Sequence, residues 1–334
     1  MIKTMNEYIV GDNLEILSKI EAEYDFCYID PPYNTGRDFG HFVDKFDDMK
    51  SFIDFLKPRI ELIYSKLKNN GTFVFHIDSI SSHYCKIMLD DIFGIKNFNN
   101  EIILCTSGMK KVKTKLMRSH DVLLVYSKNK SKATFNMVYL PYPETNKKFK
   151  KDSRGEYITS AAKNSQPDVI YRPNLRYEWN GHQNQWWISK ERMQLLHDDD
   201  RLEYNAVGIP RIKRYLNELD GIPLKDVWND IHSIQGSEKL NYATQKPIKL
   251  LERLLSLYTN ENDNCIDFFA GSGTLGRACI KMNRNYTLID LNKEGKDLFD
   301  STKNLIYNIT DVDSICSEVN TDFVKSNQFF EQTI

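Results

Sequence analysis

Apolar runs and amphipathic stretches alternate along the first part of the chain. Continuous apolar runs predict buried strands at residues 8–10, 26–29, 72–77, 102–105 and 122–126. Apolar side chains at helical spacing predict helices at residues 14–20, 49–67 and 79–93, with Asn69-Asn70-Gly71 ending the second and Ser79 capping the third. The last two strands flank a basic loop and predict a hairpin. Because strands that alternate with helices pair in parallel, this order predicts a mostly parallel, doubly wound α/β sheet.

The pattern weakens between about residues 129 and 230 and then returns. The weak stretch is polar, basic and aromatic, and we interpret it as an inserted module whose tryptophans either form a small core or stack on a ligand. After it, a helix beginning at Pro247 and strands at residues 264–269 and 286–289 are expected. The predicted units are residues 1–128, the insert 129–235, residues 236–306 and a polar tail, 307–334.

The composition is that of a globular protein, with 41% hydrophobic and 27% charged residues among 334. No apolar run approaches the roughly 18 residues of a membrane helix, so we expect no membrane segment and a cytoplasmic location. The net charge is −1, but residues 107–151 carry twelve Lys or Arg against two acids. This local excess predicts a surface that meets phosphates, the alternative being a solvated lysine-rich loop. The six cysteines include no Cys-x-x-Cys pair and are interpreted as reduced thiols, with no metal site.

The apolar run at residues 26–29 ends in Asp30-Pro31-Pro32-Tyr33. Proline has no N–H for a sheet ladder, so the strand must stop in a stiff corner, at the strand end where open α/β sheets bind ligands. A carboxylate, free carbonyls and an aromatic ring suit a planar ring that carries an exocyclic amine. The plainer alternative is a strand that happens to end in a Pro-Pro turn.

A second candidate site lies at residues 267–273, where a glycine-rich turn joins a strand to a helix. Such a turn lets a ligand approach the backbone closely. Asp290 ends the next strand about 17–19 residues after the glycines, near the spacing at which an acid binds ribose hydroxyls. The order of strand, turn, helix, strand and acid predicts a nucleoside site without a pyrophosphate. Asp12 follows the first strand, where capping a helix is the common role.

These segments resemble motifs of DNA amino-methyltransferases. Asp30-Pro31-Pro32-Tyr33, extended by Asn34-Thr35-Gly36, resembles the catalytic motif of enzymes that methylate the exocyclic amine of adenine. Residues 267–273 resemble their S-adenosyl-methionine motif, with Phe268 in place of the usual Pro, and residues 244–247 resemble the segment before it. With the catalytic motif first, the chain is similar to the β class of adenine-specific DNA methyltransferases, near type III modification subunits. Residues 120–128 and 221–228 also look like segments of that branch.

The resemblance implies a Rossmann-like S-adenosyl-methionine-dependent methyltransferase fold with permuted motif order and a target-recognition module at residues 129–235. Its catalytic residues would be Asp30, Pro31, Pro32 and Tyr33. The expected cofactor-binding residues are Asp12, Asn13, Asp30, Lys246, Asp267, Phe269, Ala270, Gly271, Ser272, Gly273 and Asp290. The expected DNA-binding residues are Asn34, Arg37, Lys110, Lys111, Lys113, Lys115, Arg118, Arg172, Arg176, Arg211, Lys213 and Arg214.

The implied reaction is methyl transfer to the N6 amine of a flipped adenine in double-stranded DNA, in restriction-modification or by a solitary methylase, without a metal. A restriction subunit and a second copy of the chain are further partners to consider. The first alternative is a cytosine-N4 methyltransferase, a class that resembles this one but usually has Ser where Asp30 stands. The second is a non-catalytic DNA-recognition subunit, which should have lost one of the two motifs. A nicotinamide oxidoreductase would need a fuller glycine fingerprint.

Overall fold

The computed structural model describes residues 5–33, 37–38, 43–106, 113–114, 116–142, 149–166, 170–232, 234, 238–240 and 242–303. Its helices are α1 (Asn13–Lys19), α2 (Met49–Lys66), α3 (Ser82–Phe93), α4 (Lys190–Asp198), α5 (Ile248–Tyr258), α6 (Thr274–Lys281) and α7 (Lys293–Thr302). Its strands are β1 (Glu7–Val10), β2 (Tyr24–Ile29), β3 (Arg37–Asp38), β4 (Val43–Asp44), β5 (Leu67–Asp78), β6 (Phe98–Cys105), β7 (His120–Ser127), β8 (Tyr139–Leu140), β9 (Lys150–Asp152), β10 (Gly155–Ala161), β11 (Arg176–Trp179), β12 (His182–Gln185), β13 (Leu202–Tyr204), β14 (Pro210–Tyr215), β15 (Ile222–Pro223), β16 (Val227–Trp228), β17 (Asn264–Asp267) and β18 (Asn285–Asp290). No described helix is both long enough and apolar enough to cross a membrane.

The chain divides into two compact units, and the first combines Met1–Met137 with Lys225–Ile334. This unit contains an eight-stranded sheet in the order β1-β18-β17-β2-β5-β7-β6-β16. Its neighbouring strands pair in parallel, except that β7 runs antiparallel to both β5 and β6. The mostly parallel sheet and the β6–β7 hairpin predicted from the sequence are therefore confirmed.

The core of this unit follows from its apolar pattern. All six residues of β2 are buried, as a continuous apolar run in the middle of a sheet requires. Helix α2 buries a stripe of side chains spaced three or four residues apart, comprising Phe52, Leu56, Ile60 and Ile63. Each fully buried side chain of this kind contributes about 1.5–3 kcal/mol of transfer free energy, so the stripe fixes α2 on the sheet that carries the site.

Two predicted element boundaries are wrong. Helix α2 ends at Lys66 and β5 begins at once with Leu67, so Asn69-Asn70-Gly71 lies inside a strand and does not stop the helix. Gly71 is needed there because a Cβ would lie 3.0 Å from the carbonyl oxygen of Tyr24 on β2. The N-cap of α3 is Ser81, not Ser79.

The second unit, Val138–Leu224, holds an antiparallel sheet in the order β13-β14-β10-β9, the hairpin β11–β12 and the pair β8–β15. Its small core consists of Ala162, Trp186, Met193, Leu196, Leu202 and Ile212. Trp186 is therefore a core residue, one of the two roles considered for the tryptophans, whereas Trp187 is partly exposed. Trp228 is also buried, but it lies on β16 of the first unit.

Candidate active site

Four neighbouring strands bring the predicted site residues to one edge of the sheet. Strand β17 pairs in parallel with β2, which places the glycine turn (residues 270–273) beside the corner at Asp30. Strand β18 follows on the other side of β17 and ends at Asp290. Strand β1 pairs with β18, with Val10 opposite Asp290, and leads into Asp12. Because the strands are parallel, their carboxyl ends form one crevice.

At the corner, Asp30 is engaged through both carboxylate oxygens. The Tyr33 hydroxyl donates to Oδ1, and Lys246 Nζ lies 2.9 Å from Oδ2. Lys246 Nζ also donates to the Tyr33 hydroxyl at 3.0 Å, which closes a triangle of three side chains. Burial and the charge of Asp30 raise the pKa of Tyr33 well above its ordinary value, so its hydroxyl stays a donor at neutral pH. The structure thus joins the motif at residues 30–33 to the segment at residues 244–247 through one carboxylate.

His76 lies behind this triangle, with its ring centroid 6.2 Å from that of Tyr33. Its Nδ1 is 2.8 Å from the Tyr28 hydroxyl, and its Nε2 is 3.5 Å from Asp121 Oδ2, beyond good hydrogen-bonding distance. Burial, together with the charge of Lys246, lowers the pKa of His76 and keeps the imidazole neutral. Sequence reasoning missed His76 because it lies inside the apolar run of β5.

A cavity of about 250 Å³ opens beside Lys246. Its walls include His76 and Asp121 on the sheet and Tyr242, Gln245 and Lys246 on the segment before α5. The space has polar and apolar walls and adjoins one partner of Asp30. It is a candidate chamber for a small planar ligand.

The glycine turn is fixed by contacts from three sides. Asp290 Oδ2 accepts the Gly271 N–H at 2.8 Å, and the Tyr8 hydroxyl donates to the Gly271 carbonyl at 2.7 Å. Gly273 adopts a left-handed conformation with φ 75°, and a Cβ there would lie 2.6 Å from the ring of Phe299. Phe268 is fully buried in the core, so a Phe is accommodated at this position.

Asp12 caps α1, as capping propensity predicts, by accepting the N–H groups of Leu14 and Glu15 at 2.8 and 3.2 Å. The adjacent Asn13 is buried, and its Nδ2 donates to the carbonyl of Phe268 at 2.7 Å. Arg59 was not expected from the sequence, because its position fits the polar side of α2. Its Nε donates to Asn13 Oδ1 at 2.6 Å, so α1 and α2 both brace the start of the glycine turn.

The crevice is electrostatically unbalanced towards negative charge. Asp267 is buried and accepts the Phe269 N–H at 2.9 Å. Its pKa is raised well above the ordinary value, chiefly by burial and further by the charges of Asp30 and Asp290. Burial also raises the pKa of Asp290. Within the described part of the chain, neither Asp267 nor Asp290 forms an ion pair. A ligand that carries positive charge would relieve this repulsion.

The predicted DNA-binding residues fall into different environments. Lys213 is buried and pairs with Asp152 and Asp200 at 3.0 and 3.1 Å, and Arg118 pairs with Asp78 at 2.5 Å. Both cations therefore have partners inside the protein. Arg118 is nevertheless exposed, as are Lys113, Arg172, Arg176, Arg211 and Arg214. Asn34, Lys110, Lys111 and Lys115 lie outside the described residues, and of Arg37 only the backbone is described.

Comparison with known proteins gives the family of this site. A family model described as DNA methylase, N6_N4_Mtase, matches residues 24–301. The type II methyltransferase M.EcaI of Enterobacter cloacae is 27% identical over 313 residues, which cover 85% of this chain and 66% of the relative. The Mod subunit of the type III restriction-modification enzyme StyLTI of Salmonella typhimurium is 26% identical over 335 residues, which cover 83% of this chain and 50% of the relative. The chain therefore spans between half and about two thirds of these relatives' lengths.

The crystal structure of the M1.HpyAVI–SAM complex matches with a TM-score of 0.50 and 17% identity, over 88% of this chain and 97% of that chain. This likeness confirms the methyltransferase fold expected from the sequence. The type III relative likewise confirms the resemblance to modification subunits. The family match contains both the Asp30 corner and the glycine turn. The chain belongs to the DNA methylase family defined by this model.

Proposed function

We propose that the protein transfers a methyl group from S-adenosyl-methionine to the exocyclic N6 amine of adenine in double-stranded DNA. One observation carries this proposal: Asp30 and the glycine turn lie at the ends of adjacent parallel strands. A methyl acceptor held at Asp30 and a nucleoside cofactor held on the turn would therefore face each other. Bound S-adenosyl-methionine would supply an electrophilic methyl group on a positively charged sulfonium.

The residues around the turn fit this cofactor. Asp290 stands at a strand end, where an acid binds ribose hydroxyls. The negative crevice of Asp30, Asp267 and Asp290 favours a cation, and the cofactor carries both a sulfonium and an ammonium group. Asp12 and Asn13 approach the turn from α1, and residues 269–273 form it. We propose all of these residues, with Lys246, as the cofactor site.

Asp30 would activate the acceptor amine. The adenine amine is a weak nucleophile because its lone pair is delocalised into the ring. Hydrogen bonds from its two hydrogens to Asp30 and to the Pro31 carbonyl would favour a pyramidal nitrogen whose lone pair points away from the ring. Asp30 then stabilises the positive charge that develops on nitrogen, and Pro32 keeps the corner stiff. Asp30 already binds Tyr33 and Lys246, but each carboxylate oxygen has a further lone pair that can accept a hydrogen of the amine.

The base would reach this corner by leaving the helix stack. Flipping costs a few kcal/mol, and stacking on an aromatic ring such as Tyr33 returns about 1–3 kcal/mol. The cavity beside Lys246 supports this role, since it has apolar and polar walls and adjoins Lys246, which binds Tyr33. We favour adenine over cytosine because an Asp stands at position 30.

DNA recognition is proposed for the second unit. Its exposed arginines lie beside aromatic rings, with Arg176 4.9 Å from the ring centroid of Tyr171 and Arg172 6.0 Å from that of Trp187. Arg211 and Arg214 are exposed on β14. Such cations and rings suit phosphate contact and base stacking. Because one relative is a Mod subunit, a restriction subunit is proposed as a partner, and a second copy of the chain is a further one.

The test uses unmethylated DNA and S-adenosyl-methionine labelled in the methyl group. The DNA is digested to nucleosides, and each methylated base is quantified for the wild type, Asp30→Ala and the control Asp91→Ala, which removes an exposed acid on α3. Label in 6-methyladenine, lost only in Asp30→Ala, supports the proposal. Label in 4-methylcytosine would show instead that the protein is a cytosine-N4 methyltransferase. Binding of cofactor and DNA without label would indicate a recognition subunit.

A further inference from the structure

Arg277 is a buried cation that the proposed reaction does not use. It lies on α6 directly under the glycine turn and is 5% exposed. Its Nη1 donates to the Ser272 carbonyl at 2.8 Å, and its Nη2 donates to the hydroxyls of Thr274 and Ser272 at 3.1 and 3.4 Å. Each of these acceptors is neutral. Burying a charge against neutral partners is costly, which calls for a counter-charge.

That counter-charge is missing from the described part of the chain. No carboxylate among the described residues pairs with Arg277. Glu238 acts on it only from a distance, and Glu238 Oε1 instead accepts the Ile248 N–H at 2.7 Å at the start of α5. Burial lowers the pKa of Arg277 to about 10, so the guanidinium remains charged at neutral pH.

The first turn of α6 adds to this positive potential. Its N-cap is Gly273, which has no side chain to accept the orphan N–H groups of the turn. The helix dipole also places partial positive charge at this end. The Ser272 carbonyl and the hydroxyls of Ser272 and Thr274 accept hydrogen bonds from Arg277. These acceptors therefore leave the backbone N–H groups of the first turn of α6 to a ligand. An anion at the turn would meet both sources of positive charge.

The position of this cluster along the crevice indicates which part of the cofactor it faces. Asp290 binds the Gly271 N–H at one end of the turn and marks the ribose side. At the other end, the Thr274 hydroxyl donates to the Lys246 carbonyl at 3.4 Å, and Lys246 contacts Asp30. The cluster therefore lies on the methyl-acceptor side, where the amino-acid tail of the cofactor would extend.

We propose that Arg277 is a positioning residue that makes the site selective for a carboxylate on the tail of the cofactor, acting through the turn of Ser272 and Thr274. This inference rests on the proposed function. The simpler alternative is a structural role, called the staple role below, in which Arg277 only holds the turn in shape and its charge does not act on the ligand. The two roles differ in one respect: a staple supports every nucleoside ligand equally, whereas a charge supports only a ligand that has the carboxylate.

The experiment compares S-adenosyl-methionine with decarboxylated S-adenosyl-methionine, which lacks only the carboxylate, by titration calorimetry on the full chain. The variants are Arg277→Met, which removes the charge, and Arg277→Lys, which keeps it with fewer donors. Arg284→Met is the control, because Arg284 also bonds neutral acceptors, at 3.1 and 3.2 Å on Thr259, away from the turn. The readout is the ratio of the two dissociation constants within each protein, which does not depend on a variant's overall stability.

We expect wild type to prefer the carboxylate-bearing ligand, and Arg277→Met to reduce that preference about tenfold. Arg277→Lys and Arg284→Met should keep most of the preference. An equal loss of affinity for both ligands in Arg277→Met would assign Arg277 the staple role and overturn the inference. If Arg277→Met does not fold, Arg277→Gln takes its place, because Gln also removes the charge but keeps a donor for the turn; an unchanged preference in that variant overturns the inference. Wild type that binds neither ligand would instead count against the proposed cofactor.

Discussion

Asp30 holds a cation before any substrate is present. Lys246 Nζ lies 2.9 Å from one carboxylate oxygen, and the Tyr33 hydroxyl occupies the other. Both charged side chains are largely buried, with 15% of the Asp30 and 20% of the Lys246 side chain exposed. The ion pair and the Tyr33 hydrogen bond therefore fix the orientation of the carboxylate before a target amine binds.

Replacing Lys246 with Met should slow methyl transfer in a single turnover by about ten- to a hundredfold, because misplacement of a catalytic group by about 1 Å has effects of this size. The rate is measured with cofactor and DNA both at saturation, so that weaker binding does not contribute. Lys249→Met is the matched control, since Lys249 is exposed and pairs with Asp230 at 3.7 Å. An unchanged rate in Lys246→Met would mean that the contact has no part in the reaction.

The buried carboxyl group of Asp267 should lower folding stability at high pH while it favours binding of a cationic cofactor. Its pKa is raised in the folded state, chiefly by burial, so the folded protein holds this proton more tightly than the unfolded chain does. Stability is consequently lost as pH rises from about 4, the unfolded pKa, through the folded value. Asp267→Asn should remove that loss and unfold at a higher temperature than wild type at pH 8, with the difference in unfolding temperature narrowing towards pH 4.

The same substitution should weaken binding of the cationic cofactor, since it removes a carboxylate from the negative crevice. Thermal unfolding between pH 4 and pH 8, with and without S-adenosyl-methionine, measures both effects. Asp297→Asn, an exposed position on α7, should show neither. A wild-type protein that is more stable than Asp267→Asn at pH 8 would contradict the argument.

At the scale of elements, α7 is packed directly on the glycine turn. A Cβ at Gly295 would lie 2.1 Å from the carbonyl oxygen of Gly271 and 2.7 Å from the Tyr8 hydroxyl. These are the two groups that bond to each other at 2.7 Å. The close approach requires glycine at position 295 because no flexible side chain can move aside from a backbone carbonyl.

Gly295→Ala should therefore push α7 away from the turn and destabilise the protein by about 1–3 kcal/mol, despite the better helix propensity of Ala. Urea unfolding measures the loss, and calorimetry should show weaker cofactor binding in the same variant. Asp297→Ala, on the exposed face of α7, controls for the helix itself. A Gly295→Ala protein as stable as wild type would mean that α7 can shift without cost.

The elements that the sequence predicted well have strong local signals. Strand β2 is a continuous apolar run that two prolines stop. The glycine turn adopts a backbone conformation that only a few residue types accept. The α2–β5 boundary was missed because Leu67 fits both patterns and Asn69-Asn70-Gly71 is typical of a helix end. His76, Arg59 and Arg277 could not be predicted as site residues, because each is a single polar residue in an amphipathic or apolar pattern. Their importance comes mainly from packing, which local periodicity does not encode.

At the scale of the whole molecule, the second unit begins and ends at one place. The Leu224 N–H donates to the Val138 carbonyl at 2.9 Å, and β8 and β15 pair beside this bond, Tyr139 with Pro223 and Leu140 with Ile222. A short linker can therefore replace residues 138–224. The expected boundaries of this insert were 129 and 235, and its role in target recognition remains a proposal.

A chain in which a Gly-Ser linker joins Met137 to Lys225 should fold and bind S-adenosyl-methionine, because the crevice is built entirely from the first unit. Its affinity for DNA should fall by at least about tenfold, since the exposed arginines of the second unit are gone. Calorimetry and fluorescence anisotropy with a labelled duplex measure the two affinities. Retained DNA affinity would place the main DNA contacts outside residues 138–224.

The position of β17 next to β2 also has a consequence during translation. Strand β2 ends at Ile29, but its partner β17 begins only at Asn264. At roughly 5–20 residues per second, the ribosome takes on the order of 10–50 s to make the chain between them. During that time the second unit is synthesised in full, while the edge of the apolar strand β2 that later pairs with β17 remains unpaired. The nascent chain therefore offers a binding surface to chaperones at the strand that later carries Asp30.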